Sequence, residues 1–225
     1  AREMNLSETT FVLAPTKEEA DYKLRIFTPL KEIPFAGHPS IGTTHALIEE
    51  GKITLKQQLT TVRQELGVGV LPIEIGQDRD GGHLITMTHG RPRLGGSITD
   101  VQELAQTLRI PVDQIGADDL PVQISSTGLD QLMVPLPSIE RAASLAPDFE
   151  RLKELERRLN VVGCCVFVLE ASDPRASVHV RFFAPSAGVL EDPATGSAAG
   201  ALGAYLAAHR IFGSKNPASF NIEPV

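Results

Sequence analysis

One structural plan is written twice in this chain, and that repetition limits the fold more than any other feature. Arg25-Ile26-Phe27-Thr28-Pro29 recurs as Arg181-Phe182-Phe183-Ala184-Pro185, and "GHPSIGTTHAL" from Gly37 recurs as "GSAAGALGAYL" from Gly196. Each copy reads as a strand, a loop and a helix led by glycine. Gly37 lies eight residues after Pro29, and Gly196 eleven after Pro185. Two copies are too few for a solenoid, which needs about three. They predict an α+β protein of two facing, pseudo-symmetric lobes, each wrapping strands around one central helix.

The flanking segments fit this plan. In the first half, "TTFVLAP" and "YKLRIFTP" read as strands, and Ser40 to Glu50 reads as a helix closed by Gly51, since glycine takes the left-handed conformation without steric penalty. Further strands follow to "HLITMTHG", broken by the turn signal Asp78-Arg79-Asp80-Gly81-Gly82. "GRPRLGGS" (Gly90 to Ser97) reads as a linker, which puts the domains at 1–90 and 91–225. In the second half, Thr99 and Gln102 form a capping-box pair ahead of a helix with Val101, Leu104, Ala105 and Leu108 on one face. A hairpin turns at Thr127-Gly128, Asp148 to Leu159 is an amphipathic helix, and the continuous apolar run "VVGCCVFVLEA" is a fully buried strand. The ends, "AREMNLSETT" and "FNIEPV", read as interrupted elements, so the first lobe is expected to lack its first strands and the second its end.

Composition excludes several classes. The 225 residues are 42% hydrophobic and carry a net charge of −7, so nucleic acid and anionic membranes are not expected partners, for both need a basic face. Glu156-Arg157-Arg158 is no more than the solvated face of a helix. No run approaches the ~20 apolar residues of a membrane span, no secretory signal is visible, and the default location is cytoplasmic. The only cysteines, Cys164 and Cys165, are strand neighbours that point to opposite faces, so they are neither a disulfide staple nor half of a zinc site. No metal and no cofactor is expected. His45, His83, His89, His179 and His209 share no ligand spacing with carboxylates and read as structural or exposed.

The repeated helices carry the chemistry. Glycine inside a helix costs ~1 kcal/mol against alanine. Gly42, Gly200 and Gly203 are therefore expected where neighbouring strands pack closely. The start of a buried helix leaves backbone N–H groups unpartnered and carries partial positive charge. Gly37 and Gly196 would let an anion approach those groups, a carboxylate or a developing enolate oxygen. This points to proton transfer next to a carboxylate. Taken alone, Glu8 reads as a surface residue, His38 as a helix-start cap, Asp192-Pro193 as a turn initiator and Ser197 as an N-terminal cap.

"AREMNLSETTFVL", "RIFTPLKEIPFAGHPSIGTTHAL", "STGLDQLMVPL" and "LEDPATGSAAGALGAYL" together closely resemble the PhzF-like isomerases of phenazine biosynthesis. The resemblance spans nearly the whole chain. It implies the diaminopimelate epimerase-like fold, with a strongly curved, mostly antiparallel sheet around the helix of each lobe. It also implies a homodimer, no cofactor, and a small cyclic carboxylate substrate of the dihydro-hydroxyanthranilate type. On this resemblance the acid/base carboxylate is Glu8, with His38 beside it, Asp192 and Ser197 as further catalytic residues, and Gly37 and Gly196 as substrate-binding positions. Glu8 is expected to be desolvated, with its pKa raised toward neutrality. An amino-acid epimerase or racemase on the same fold, and a non-catalytic small-ligand-binding relative, are the alternatives. The cysteines lie away from both helix starts, which argues against a two-thiol route.

Overall fold

The computed structural model describes residues 1–78, 81–193, 195–212 and 219–224. The chain divides into two compact units, Ala1–Gly90 and Arg91–Val225. Among the described residues, no helix is long and apolar enough to cross a membrane.

The first unit is a sheet with one helix. Its strands are β1 (Thr9–Leu13), β2 (Tyr22–Phe27), β3 (Glu32–Ile33), β4 (Thr60–Leu66), β5 (Gly69–Gln77) and β6 (His83–Met87), with α1 (Gly37–Glu49) between β3 and β4. The order is β1-β2-β4-β5-β6, with β3 also paired to β2; only β2 and β4 run parallel. Strand periodicity sets the faces: Tyr22, Leu24 and Ile26 are buried, and Arg25 between them pairs with Glu32 in solvent. α1 begins at Gly37, three residues ahead of the expected Ser40, and Gly51 at φ +66° follows its end. Arg79 and Asp80 of the turn signal lie outside the described residues.

α1 joins its sheet through hydroxyls. Thr43 Oγ1 lies 2.8 Å from Thr10 Oγ1 on β1, and Thr44 Oγ1 lies 3.0 Å from the Tyr22 hydroxyl on β2. That hydroxyl also accepts from Gln64 Nε2 of β4 at 2.9 Å. Ser40, Thr43 and Thr44 each donate to the carbonyl four residues earlier, at 2.8, 2.7 and 2.9 Å. The expected close packing at Gly42 is absent: a Cβ there would meet nothing within 4 Å.

The second unit has helices on both faces of its sheet. Its strands are β7 (Arg93–Ser97), β8 (Gln123–Ser126), β9 (Asp130–Pro135), β10 (Gly163–Val168), β11 (Val178–Ala184), β12 (Val189–Asp192) and β13 (Ile222–Pro224). The helices are α2 (Gln102–Leu108), α3 (Ile139–Ala143), α4 (Phe149–Leu159) and α5 (Gly196–Ala208). The order is β12-β11-β10-β9-β8-β7, with β13 beside β11; β9–β10 and β11–β13 are parallel and the other pairs antiparallel.

Alternate residues of β9 to β11 point to two separate cores. Leu132, Val134, Cys164, Val166 and Phe183 pack with Leu104 and Leu108 of α2 and Leu152 and Leu155 of α4. Met133, Cys165, Phe167 and Phe182 pack with Ala198, Ala201, Leu202, Tyr205 and Leu206 of α5. The uninterrupted apolar run of β10 follows, because both of its faces are covered. At its start, a Cβ on Gly163 would fall 2.4 Å from the Phe182 ring and 2.7 Å from the Phe183 carbonyl, so only glycine fits without rearrangement.

Four local expectations need correction. The glycine-rich linker segment contains β7, paired to β8; a Cβ on Gly95 would approach Ile124 Cβ to 3.1 Å, so the glycine admits the neighbouring strand. Thr99 caps none of the described residues; Asp100 Oδ1 accepts the Gln102 N–H at 3.1 Å instead. A Cβ on Gly203 would make only ordinary contact with Phe220, at 3.6 Å. Glu156 is 1% exposed rather than solvated, because α4 rolls it against the turn after β11, where its carboxylate accepts the Ser186 N–H at 2.8 Å.

The repeat runs deeper than its motifs. Glu65 on β4 accepts the N–H groups of Thr16 and Lys17 in the β1–β2 loop and pairs with Lys23 Nζ at 2.9 Å. Glu223 on β13 accepts those of Ser172 and Asp173 in the β10–β11 loop and lies 3.1 Å from His179 Nδ1. β4 beside β2 and β13 beside β11 are both parallel pairs, in which Lys23 faces Glu65 and His179 faces Glu223. The same carboxylate clamp ties the hairpin loop in both units. His179 thus has a carboxylate partner that sequence spacing concealed.

Candidate active site

Glu8 lies one residue before β1, and His38 is the second residue of α1. His38 Nε2 is 3.0 Å from Glu8 Oε2. The carboxylate is recessed, with 12% of its side chain exposed against 45% for the imidazole. Burial pushes the Glu8 carboxyl up, but hydrogen bonds from His38 and Ser7, with the field of His38, bring it below the ordinary 4.5. The expected rise toward neutrality is therefore corrected: the partner beside the carboxylate outweighs its desolvation. Glu8 is therefore ionised at neutral pH.

At the start of α1 the N-cap side chain makes no hydrogen bond to the helix. Ala36 precedes the helix in an extended conformation and offers no side-chain cap. The N–H of Gly37 thus has no intrahelical acceptor, and Pro39 brings no N–H.

In the second unit, Thr195 precedes α5 and its hydroxyl donates to Asp192 Oδ2. Gly196 opens the helix. Ser197 is buried, and its Oγ accepts from Gln131 Nε2 on β9 at 3.1 Å. Ala194 of the same motif lies outside the described residues. The sequence reading missed both partners: the three-residue spacing of Asp192 and Thr195 could have found the first, whereas Gln131 reaches Ser197 only through the pairing of distant elements. Glu8 and His38 are brought together in the first unit, and Asp192, Thr195, Gly196 and Ser197 at one helix start in the second.

The other reactive groups have structural surroundings. Cys164 and Cys165 are fully buried; burial pushes the Cys164 thiol well up and the Cys165 thiol to about 12. Neither supplies a thiolate at neutral pH. His89 packs edge-on against Phe35, and burial lowers its pKa. His209 bonds Gln123 Oε1 at 2.9 Å beside the Tyr205 ring. His45 lies 3.9 Å from Glu49 and near the His83 ring. Among the described residues, no group of three His, Cys, Asp or Glu side chains could hold a metal ion.

Two curled sheets, each carrying a glycine-led helix, make an α+β fold of the epimerase-like kind. The fold matches a hydroxyproline epimerase from Agrobacterium vitis, solved with trans-4-hydroxy-L-proline, at a TM-score of 0.65 and 19% identity, over 95% of this chain and 63% of that one. The chain belongs to the PhzC–PhzF family, whose model, described as phenazine biosynthesis-like protein, matches residues 1–224, and it is an isomerase of that family. It is 36% identical over 214 residues to the trans-2,3-dihydro-3-hydroxyanthranilate isomerase of Pseudomonas chlororaphis, covering 93% of this chain and 68% of that protein. The crystal structure of a PhzF-family phenazine biosynthesis protein from Bacillus anthracis matches at a TM-score of 0.79 and 30% identity, over 98% of this chain and 70% of that one.

Proposed function

We propose that this isomerase moves a proton on a small, cyclic, carboxylate-bearing substrate of the dihydro-hydroxyanthranilate type, with Glu8 as the acid/base group. The observation that carries the reading is the recessed Glu8 carboxylate, held ionised and 3.0 Å from His38 Nε2 at the start of a helix. The name of the Pseudomonas chlororaphis relative supports the substrate class.

In this reading Glu8 takes a proton from a carbon next to an electron-withdrawing group. The C–H electrons delocalise into the substrate, and charge on its oxygen is met by the N–H of Gly37. Glu8 then returns the proton to another carbon on the same face. One C–H bond breaks and one forms, so the step is redox-neutral and consumes no co-reactant. His38 steadies the carboxylate as it changes charge. Asp192, Ser197 and the Gly196 amide orient the substrate through its polar groups.

The test is NMR of trans-2,3-dihydro-3-hydroxyanthranilate in deuterated water. Deuterium should appear at the carbon that receives the proton, and Glu8→Gln should bind but not turn over. Full turnover by the Gln variant would refute the assignment. Exchange with inversion at an amino-acid α-carbon would favour an epimerase, and saturable binding without exchange by the unaltered protein a non-catalytic relative.

A further inference from the structure

We propose that Gln131 is a positioning residue for this reaction: its amide holds the Ser197 hydroxyl so that the serine proton is kept for the carboxylate of the substrate. This rests on the reading of Ser197 as a substrate contact.

Gln131 sits on β9 with no exposed surface, and its Nε2 donates to Ser197 Oγ at 3.1 Å. Its Oε1, also buried, has no partner among the described residues. A buried acceptor left unsatisfied is costly. Leu132, Met133 and Val134, next along the strand, show that this part of β9 otherwise takes hydrocarbon. A glutamine whose nitrogen end alone is used marks a requirement for a donor at Ser197.

A serine hydroxyl has one proton and two lone pairs. With Nε2–H on a lone pair, and an amide nitrogen unable to accept, the serine proton must point away from Gln131. Among the described residues no protein group accepts it. The contrast with α1 is direct, because Ser40, Thr43 and Thr44 all donate to carbonyls of their own helix. Thr195 is committed too, to Asp192. Ser197 is therefore the hydroxyl still able to donate at the start of α5, a thirteen-residue helix whose first N–H groups lack intrahelical acceptors. An uncommitted O–H beside them suits an anion better than a neutral group.

The experiment uses the unaltered chain, Gln131→Met, Ser197→Ala and the double variant. Turnover of trans-2,3-dihydro-3-hydroxyanthranilate is measured alongside calorimetric binding of benzoate, with benzamide as the uncharged control. Gln131→Met should raise KM and the benzoate Kd about tenfold, the scale of one charge-assisted hydrogen bond, with kcat within about twofold and benzamide unmoved. Ser197→Ala should give the same shift, and the double variant no more than either single one. Unchanged KM and benzoate affinity in a folded Gln131→Met protein would overturn the proposal, as would multiplying effects in the double variant. Should the Met variant fail to fold, Gln131→Asn, which keeps polarity but withdraws the donor, is read against the same outcomes. If Glu8→Gln stays active the proposed mechanism falls, whereas the benzoate coupling between Gln131 and Ser197 tests this inference independently.

Discussion

α1 and α5 share a plan and differ in what fastens them. α1 meets its sheet through Thr10, Tyr22, Gln64 and its own Thr43 and Thr44, a seam of oriented hydrogen bonds. α5 adds a broad hydrocarbon face, Ala198, Ala201, Leu202 and Leu206 against Met133, Cys165 and Phe167, to the bonds that Ser125 makes to the Ala201 carbonyl and Gln131 to Ser197. Hydrogen bonds fix direction, while apolar burial supplies energy with little directional preference. The helix behind the Glu8–His38 pair is therefore held by hydrogen bonds with little apolar burial, and the one behind Ser197 by hydrogen bonds and a hydrocarbon core together. A repeated backbone does not require a repeated core.

The strongest challenge to this contrast is chemical. Glu8→Gln should lower kcat by at least ~10²-fold, the scale of a general acid–base group, and Asp192→Asn should lower it less. Steady-state rates of the two variants decide; equal losses would erase the assignment of proton transfer to the first unit. Next comes packing. Leu202→Ala, at a site with no exposure, should cost ~2–5 kcal/mol in urea unfolding. Thr44→Val should cost ~1–3 kcal/mol by stranding polar groups rather than opening a cavity. If the threonine change costs as much as the leucine change, the difference in fastening is not energetic.

The carboxylate clamps refine the comparison through pH. Hydrogen bonds from Thr16 and Lys23 hold the Glu65 carboxyl at about 2, against an ordinary 4.5. A lowered folded pKa means that the stabilisation is whole above about 4.5 and is lost as pH falls through about 2. Glu223 is lowered as well, first by the Ser172 N–H. Unfolding followed from pH 6 to pH 2 should therefore lose part of its acid dependence in Glu65→Gln and in Glu223→Gln; unchanged profiles would show that the clamps contribute nothing to stability. The smallest effect is a gain. With open space at its Cβ position, Gly42→Ala should stabilise by up to ~1 kcal/mol, and a loss in thermal melts would reveal a contact on that helix face.

Much of this was legible locally. Glycine-led helices, strand alternation and the apolar run of β10 are short-range signals, and the ordered motifs carried the family. The misreadings share one cause. "GRPRLGGS" has the composition of a linker, but Gly95 lies against Ile124, almost thirty residues on. Glu156 sits in a charged run, yet the turn after β11 closes over it. The Glu8 pKa was misjudged because burial can be guessed from a motif, whereas the balance against His38 and Ser7 depends on distances.

By itself the sequence determined the twofold plan, the α+β class and the residues at each helix start, since these follow from periodicity and from what glycine and proline permit. Tertiary structure decided which helix adds a hydrocarbon core to its hydrogen bonds, that two distant glutamates clamp two loops alike, and that Ser197 receives its hydrogen bond from Gln131. Such pairings join residues far apart in the chain, and hydrogen bonding and desolvation act over a few ångströms of space rather than a few positions of sequence.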